Sequence, residues 1–324
     1  MQDTHLRSAR LSGMLALGFF LLPIASARAA ATAVNACQTL SAPGNYVVTK
    51  NLTASGDCLV LTVSNIAIDM QGHKIVGNGS GGGITDGGNS IRYIIVANGK
   101  ISNFSTGIDL STDTGQSADL ILNVNASGNA ADGINIQGRD NNLANVTASN
   151  NGANGIELGD CCDSLFKVTT NGNNAEGVLY SFEDYLLNVI SNGNSGDGVS
   201  GASDSLIVNT VANKNAGNGI DLSGGDNLVV SSIANANNGD GIRLRESFNQ
   251  VTDSKAGRNQ GDGIDSQDDF GLATSVTTKN NAGDGVFLKC PGNAVRVSAN
   301  GNGGTNLHED LSDGTCTNVR NSAP

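Results

Sequence analysis

The sequence predicts an all-β solenoid, a parallel β-helix of about 10–12 coils with about 22 residues in each. Three observations lead there. A glycine followed by Ile or Val recurs at Gly83, Gly107, Gly133, Gly155, Gly177, Gly198, Gly219, Gly241, Gly263 and Gly285, and from Gly133 onward the steps are 22, 22, 21, 21, 22, 22 and 22 residues. The residues after each glycine alternate with strand periodicity, as in Ile220 with Leu222, Ile242 with Leu244 and Val286 with Leu288. No stretch of the repeat carries a helical period, and Leu is too sparse for a leucine-rich horseshoe of similar length.

Taken in chain order, residues 1–29 read as a cleaved secretory signal. Arg7 and Arg10 precede an apolar run from Met14 to Ile24, then the small-residue stretch ASARAA, with cleavage expected after Ala29. The run is too short for a membrane span. Residues 30–82 form an N-terminal cap with the first coils, 83–306 the repeats, and 307–324 a C-terminal cap or tail.

Each repeat has a second apolar group nine to fourteen residues past its glycine, such as Leu143 with Val146 or Leu165 with Val168, then a small residue and an Asn-rich turn. About four buried apolar side chains supply roughly 6–12 kcal/mol, against an ordering cost of about 1–2 kcal/mol per residue. One repeat therefore cannot stand alone. Stacking coils about 4.8 Å apart puts each strand beside its equivalent and merges the apolar columns into one core. The motif G-D-G, as in NNGDGIRL at 238–245, belongs to this architecture. The position before the repeating glycine reads Asp132, Asn154, Glu176, Asp197, Asn218, Asp240, Asp262, Asp284. Turn chemistry tolerates such an exchange of Asn for Asp and catalysis does not; Asn and Asp accept left-handed backbone angles, and Gly reaches them without strain.

The chain carries 30 Asp and Glu against 18 Lys and Arg, a net charge of −12. Residues 1–29 contribute Arg7, Arg10 and Arg28 against Asp3, so the mature chain is near −14. That balance disfavours nucleic acid and anionic membranes, and an acidic polysaccharide would need a local basic patch or a bridging cation. Six cysteines in an exported chain read as disulfides. Cys37 with Cys58 and Cys290 with Cys316 each close a loop worth about 3 kcal/mol by chain entropy. A bond between adjacent Cys161 and Cys162 would be strained, so they are expected as free or half-buried thiols, with a redox role as the alternative.

The repeats from Gly107 to Val286, with the opening segment GNYVVTKNLTASGDCLVLTVSNIAIDMQGHKIVG at 44–77, resemble the secreted bacterial right-handed, single-stranded parallel β-helix proteins of the pectate-lyase-like superfamily. Asp69, Gly72, His73 and Ile75 match a D-x-x-G-H-x-I ending found in many of them, and the likeness covers residues 37–310. That fold hosts lyases, hydrolases, epimerases and adhesins, so it does not choose a function. The N-T-D, G-D-D and G-H-G motifs of polygalacturonase-like hydrolases are missing, and the one Asp-Asp pair is Asp268–Asp269. There is no Trp for the lyase motif. The D-P-H-D histidine of the epimerases has no counterpart, since the histidines are His5, His73 and His308.

Candidate chemistry lies where equivalent positions of successive coils become neighbours. Asp221, Arg243 and Asp265 alternate in sign two residues past the glycine, and Arg245, Gln267 and Lys289 stand four past it. The plain reading is a solvated charge ladder worth about 0–1 kcal/mol per pair. The sharper one is a saccharide site with Asp240, Asp262 and Asp265 as acids or calcium ligands and Arg243 or Lys289 holding a uronate. Repulsion among Asp240, Asp262 and Asp284 invites calcium. Arg245, Tyr180 and Tyr185 are candidate sugar contacts, with one ring of the cluster Tyr180, Phe182 and Tyr185 expected to cap the core. Two functions stand open: an exported protein binding polysaccharide or a cell-envelope partner along its length, or a lyase or hydrolase of acidic polysaccharide, calcium-assisted, with those residues as catalysts.

Overall fold

A computed structural model describes residues 31–112 and 115–323; the signal segment lies outside them. The described residues form a parallel β-helix without helical segments. Thirteen strands stack in one sheet, here sheet 1, that holds the strand after each repeating glycine. The register is in phase: Ile134, Ile156, Val178, Val199, Ile220, Ile242, Ile264 and Val286 lie side by side. Thirteen coils exceed the 10–12 expected. The strands Gln38–Leu40, Leu59–Leu61 and Leu307–Asp310 pair in parallel like the others but lack the Gly-Ile/Val signature by which coils were counted.

Sheet 2 carries the second apolar group, with Ile121, Leu143, Leu165, Leu186, Ile207, Val229 and Val251 as its inward column. A third face is built from isolated bridges that become four short strands between Ile233 and Asn300. The coil turns between faces at single residues with left-handed angles: Phe248, Asp253 and Arg258 in one coil, Asp226, Ser231 and Ala236 in the coil before. Buried side chains from all three faces form one continuous core.

Two polar columns hold the corners. In the first, the buried asparagines Asn129, Asn151, Asn173, Asn194, Asn215, Asn237, Asn259 and Asn281 form a ladder. Each of Asn129 to Asn259 donates its backbone N–H and its Nδ2 to Oδ1 of the next asparagine at 2.9–3.2 Å. The second column runs Asn141, Asp163, Asp184, Ser205, Asn227, Asn249, where each side-chain oxygen accepts the backbone N–H of the preceding coil's member at 2.7–3.3 Å. Buried backbone donors are thereby satisfied without an adjoining strand.

The structure confirms an architectural role for the G-D-G motif but corrects its cause. At Asp132, Asn154, Asp197, Asn218, Asp240 and Asp262 the residue before the glycine accepts the backbone N–H of its equivalent one coil on, as Asn218 does from Asp240 at 2.7 Å, Asp240 from Asp262 at 2.7 Å and Asp262 from Asp284 at 2.5 Å. One acceptor oxygen suffices, and Asn and Asp both supply it. The second glycine has no left-handed angle. At Gly241 a Cβ would lie 2.5 Å from the Gly263 carbonyl and 2.7 Å from Asn259 Nδ2, so close stacking alone requires glycine there.

Disulfides join Cys37 to Cys58 and Cys290 to Cys316 as expected. Cys161 and Cys162 are also bonded to each other, which corrects the free-thiol expectation. The corner between sheets 1 and 2 puts Cys162 at φ 71°, and that turn brings the neighbouring sulfurs together.

Candidate functional site

The outward face of sheet 1 gathers the predicted charges in its last coils. Register places Asp221, Arg243, Asp265, Phe287 and His308 in one column. Backbone hydrogen bonds hold Asp240 and Asp262 in the column beside it. Carboxylate oxygens of Asp240, Asp262 and Asp265 converge within 4.8 Å of one another. Gln267 Nε2 donates to Asp265 Oδ2 at 2.6 Å. Arg243 Nε approaches the same oxygen only to 3.9 Å and is buried without a hydrogen-bond partner.

Asp221 and Asp265 are 5 % and 7 % exposed, so this is not a solvated ladder. Burial, reinforced by the charge of Asp240, pushes Asp265 up to about 6. Burial also raises Asp240 and Asp262 above the usual carboxylate range. Asp197, in the same acidic row, is pushed up to about 6 by burial and by Asp221.

Other predicted residues are placed elsewhere. Asp284 leaves the expected metal trio, because its carboxylate binds the Thr305 N–H and His308 Nδ1, each at 2.6 Å; Asp265 takes its place. Arg245 is committed to Asp221 through both Nε, at 3.1 Å, and its terminal nitrogen. Lys289 Nζ sits 3.1 Å from Asp313, 3.6 Å from Asp268 and 3.8 Å from Asp269, pinning the acidic corner rather than facing the trio. Tyr180 is 4 % exposed and packs in the core, which corrects its assignment as a sugar contact. Tyr185 is 58 % exposed but stands on sheet 2, away from the acids on sheet 1.

Sequence reasoning missed two features. His308 falls in the segment expected as a C-terminal cap or tail, yet its strand pairs in register with Val286–Lys289 and joins the site's outer column. Phe248 and Phe270 stack at 4.9 Å between ring centroids, each about half exposed, at corner positions where other coils have Asp. Their spacing of 22 residues was the available signal.

The stacked coils define a protein of the parallel β-helix class, and its candidate site is a cluster of carboxylates, two partly buried and one buried, with Arg243 at its edge. The structure is similar to the A-module of the mannuronan C-5 epimerase AlgE4 of Azotobacter vinelandii, at 16% identity and a TM-score of 0.51 over 88% of this chain and 86% of that one. It is likewise similar to the periplasmic alginate epimerase AlgG, at 14% identity and a TM-score of 0.51 over 82% and 77%. At such identities the likeness is one of fold. No family model matches the chain, and no curated protein matches it in sequence.

Proposed function

We propose that the chain is an exported protein that binds acidic polysaccharide on the outward face of sheet 1. The observation that carries this reading is the convergence of Asp240, Asp262 and Asp265 beside Arg243, whose side chain is 31% exposed and whose Nε has no hydrogen-bond partner. The donor set is all oxygen, which suits a hard cation such as calcium. Three carboxylates fill only part of its usual six to eight oxygen ligands, leaving positions for sugar hydroxyls or a uronate carboxylate. Arg243 supplies the second contact such a carboxylate requires. Three disulfides fit an oxidising compartment, and the periplasmic and alginate-acting neighbours are in keeping with this reading.

The test is calorimetric titration of the mature protein with calcium, then with polygalacturonate and alginate oligosaccharides. Calcium at about 100 times its Kd should stabilise the fold by about 2.7 kcal/mol, and Asp262→Asn with Asp265→Asn should abolish the effect. An unchanged melting temperature in calcium removes the metal from the reading. A second, enzymatic reading draws on Asp265, whose carboxyl at about 6 is suited to proton donation. Formation of unsaturated product or new reducing ends, lost in Asp265→Ala, would establish it.

A further inference from the structure

The basic residues crowd into the last coils, but they divide between two faces. Arg243, Arg245 and Lys289 lie on sheet 1 and engage carboxylates. Lys255 and Lys279 lie on the third face, at outward positions of the strands Lys255–Gly257 and Thr277–Lys279, and Arg258 stands at the adjoining corner. Lys214 occupies the same corner two coils earlier. None of these four enters an ion pair among the described residues, whereas each sheet 1 cation does. From Thr147 to Gly301 the outward strand positions of this face and its corner toward sheet 1 hold no Asp or Glu, and its corner toward sheet 2 holds a single acid, Asp253. In a chain of net charge −12 a face with four cations outside any ion pair and one acid at its edge is a local reversal of sign.

Shape agrees with charge. Lys255, Arg258, Lys279, Ile233 and Thr277 rim a shallow, open depression of about 420 Å³. Register pairs Lys255 with Thr277 and Gly257 with Lys279, so Lys279 stands one coil, about 4.8 Å along the axis, beyond Lys255 and Arg258, a step comparable with the length of a sugar ring. We propose that this face is a second binding site, which takes the carboxylate or sulfate groups of an anionic glycan directly on Lys255, Arg258 and Lys279, without a bridging cation. The occupant is a glycan rather than nucleic acid because the acidic remainder of the surface repels a dense polyanion wider than the strip. The site is independent of the acidic trio on sheet 1.

Binding of the mature protein to polygalacturonate, to a sulfated glycan and to neutral dextran, in chelator, tests the proposal. Both anionic glycans, or one of them, should bind and release as salt rises; which one binds identifies the group recognised. The variant K255A/R258A/K279A, altered only at exposed positions, should lose roughly tenfold or more of the affinity, while K255R/K279R retains it. The proposal fails if the triple variant binds as well as the parent, if dextran binds equally, if duplex DNA binds more tightly than either glycan, or if no anionic glycan binds in chelator. Loss of binding in chelator with its return in calcium would overturn this site while leaving the sheet 1 site standing.

Discussion

Replacing Asp163 by Asn should stabilise the protein, and only above the pH at which ordinary carboxyls ionise. Asp163 and Asp184 are adjacent in the second polar column, both fully buried, and Oδ2 of each lacks a hydrogen-bond partner. Burial, with the charge of Asp184, pushes Asp163 up to about 8, and burial lifts Asp184 to about 7. A carboxyl raised in the folded state costs nothing below its unfolded value of 3.8, where both states are protonated. Between 3.8 and about 8 the unfolded chain releases a proton that the folded chain must keep, so stability falls as pH rises. At pH 7 the interval is about three units, or about 4 kcal/mol as an upper bound. Asn keeps the Oδ1 acceptor, and its amide can donate to the carbonyl three residues back, as Asn141, Asn227 and Asn249 do. D163N should therefore melt about 4–8 °C higher at pH 7 and at the parent's temperature near pH 4, by scanning calorimetry across that range. A gain independent of pH, or a loss at pH 7, would refute the reasoning.

Truncating the asparagine ladder should be costly where its neighbours are not. N237A strips acceptors from two Asn215 donors and frees the Ala212 carbonyl, for a loss of about 3 kcal/mol, while N238A in the same turn should cost under about 0.5 kcal/mol; urea unfolding separates them. G241A should destabilise by about 2 kcal/mol or more through its clash with the Gly263 carbonyl. R245A should lower stability by about 3 kcal/mol, since it leaves Asp221 buried and unpaired, and Asp221→Asn in the same background should recover most of it.

The fold was legible because stacking imposes one spacing on every residue type that takes part. From Gly133 onward the Gly-Ile/Val step, the inward columns of sheet 2 and the Asn turns repeat at 21 or 22 residues and fall where the period puts them. The terminal coils were miscounted since their strands make the same pairings with other residues. The site was legible only in outline. Spacing put Asp240, Asp262 and Asp284 in one column, but the sequence could not show that Asp284 turns to His308 while Asp265 leans inward from the next column. Tyr180 and Tyr185 differ by five residues and read alike, yet one faces the core and the other solvent, across a corner whose length differs between coils.

That corner has a consequence for how the molecule can change. From the inward residue of sheet 2 to the next repeating glycine there are 12 positions in successive coils, as from Leu143 to Gly155, Ile207 to Gly219 and Val251 to Gly263. From the glycine to that inward residue the interval is 14 at Gly107, 10 at Gly133 and 9 at Gly198. From Gly107 onward insertions and deletions are thus absorbed on one edge of the cylinder, and the rest of its circumference keeps a fixed gauge. New loops can be grafted along that edge, next to the acidic face, without disturbing the scaffold beneath.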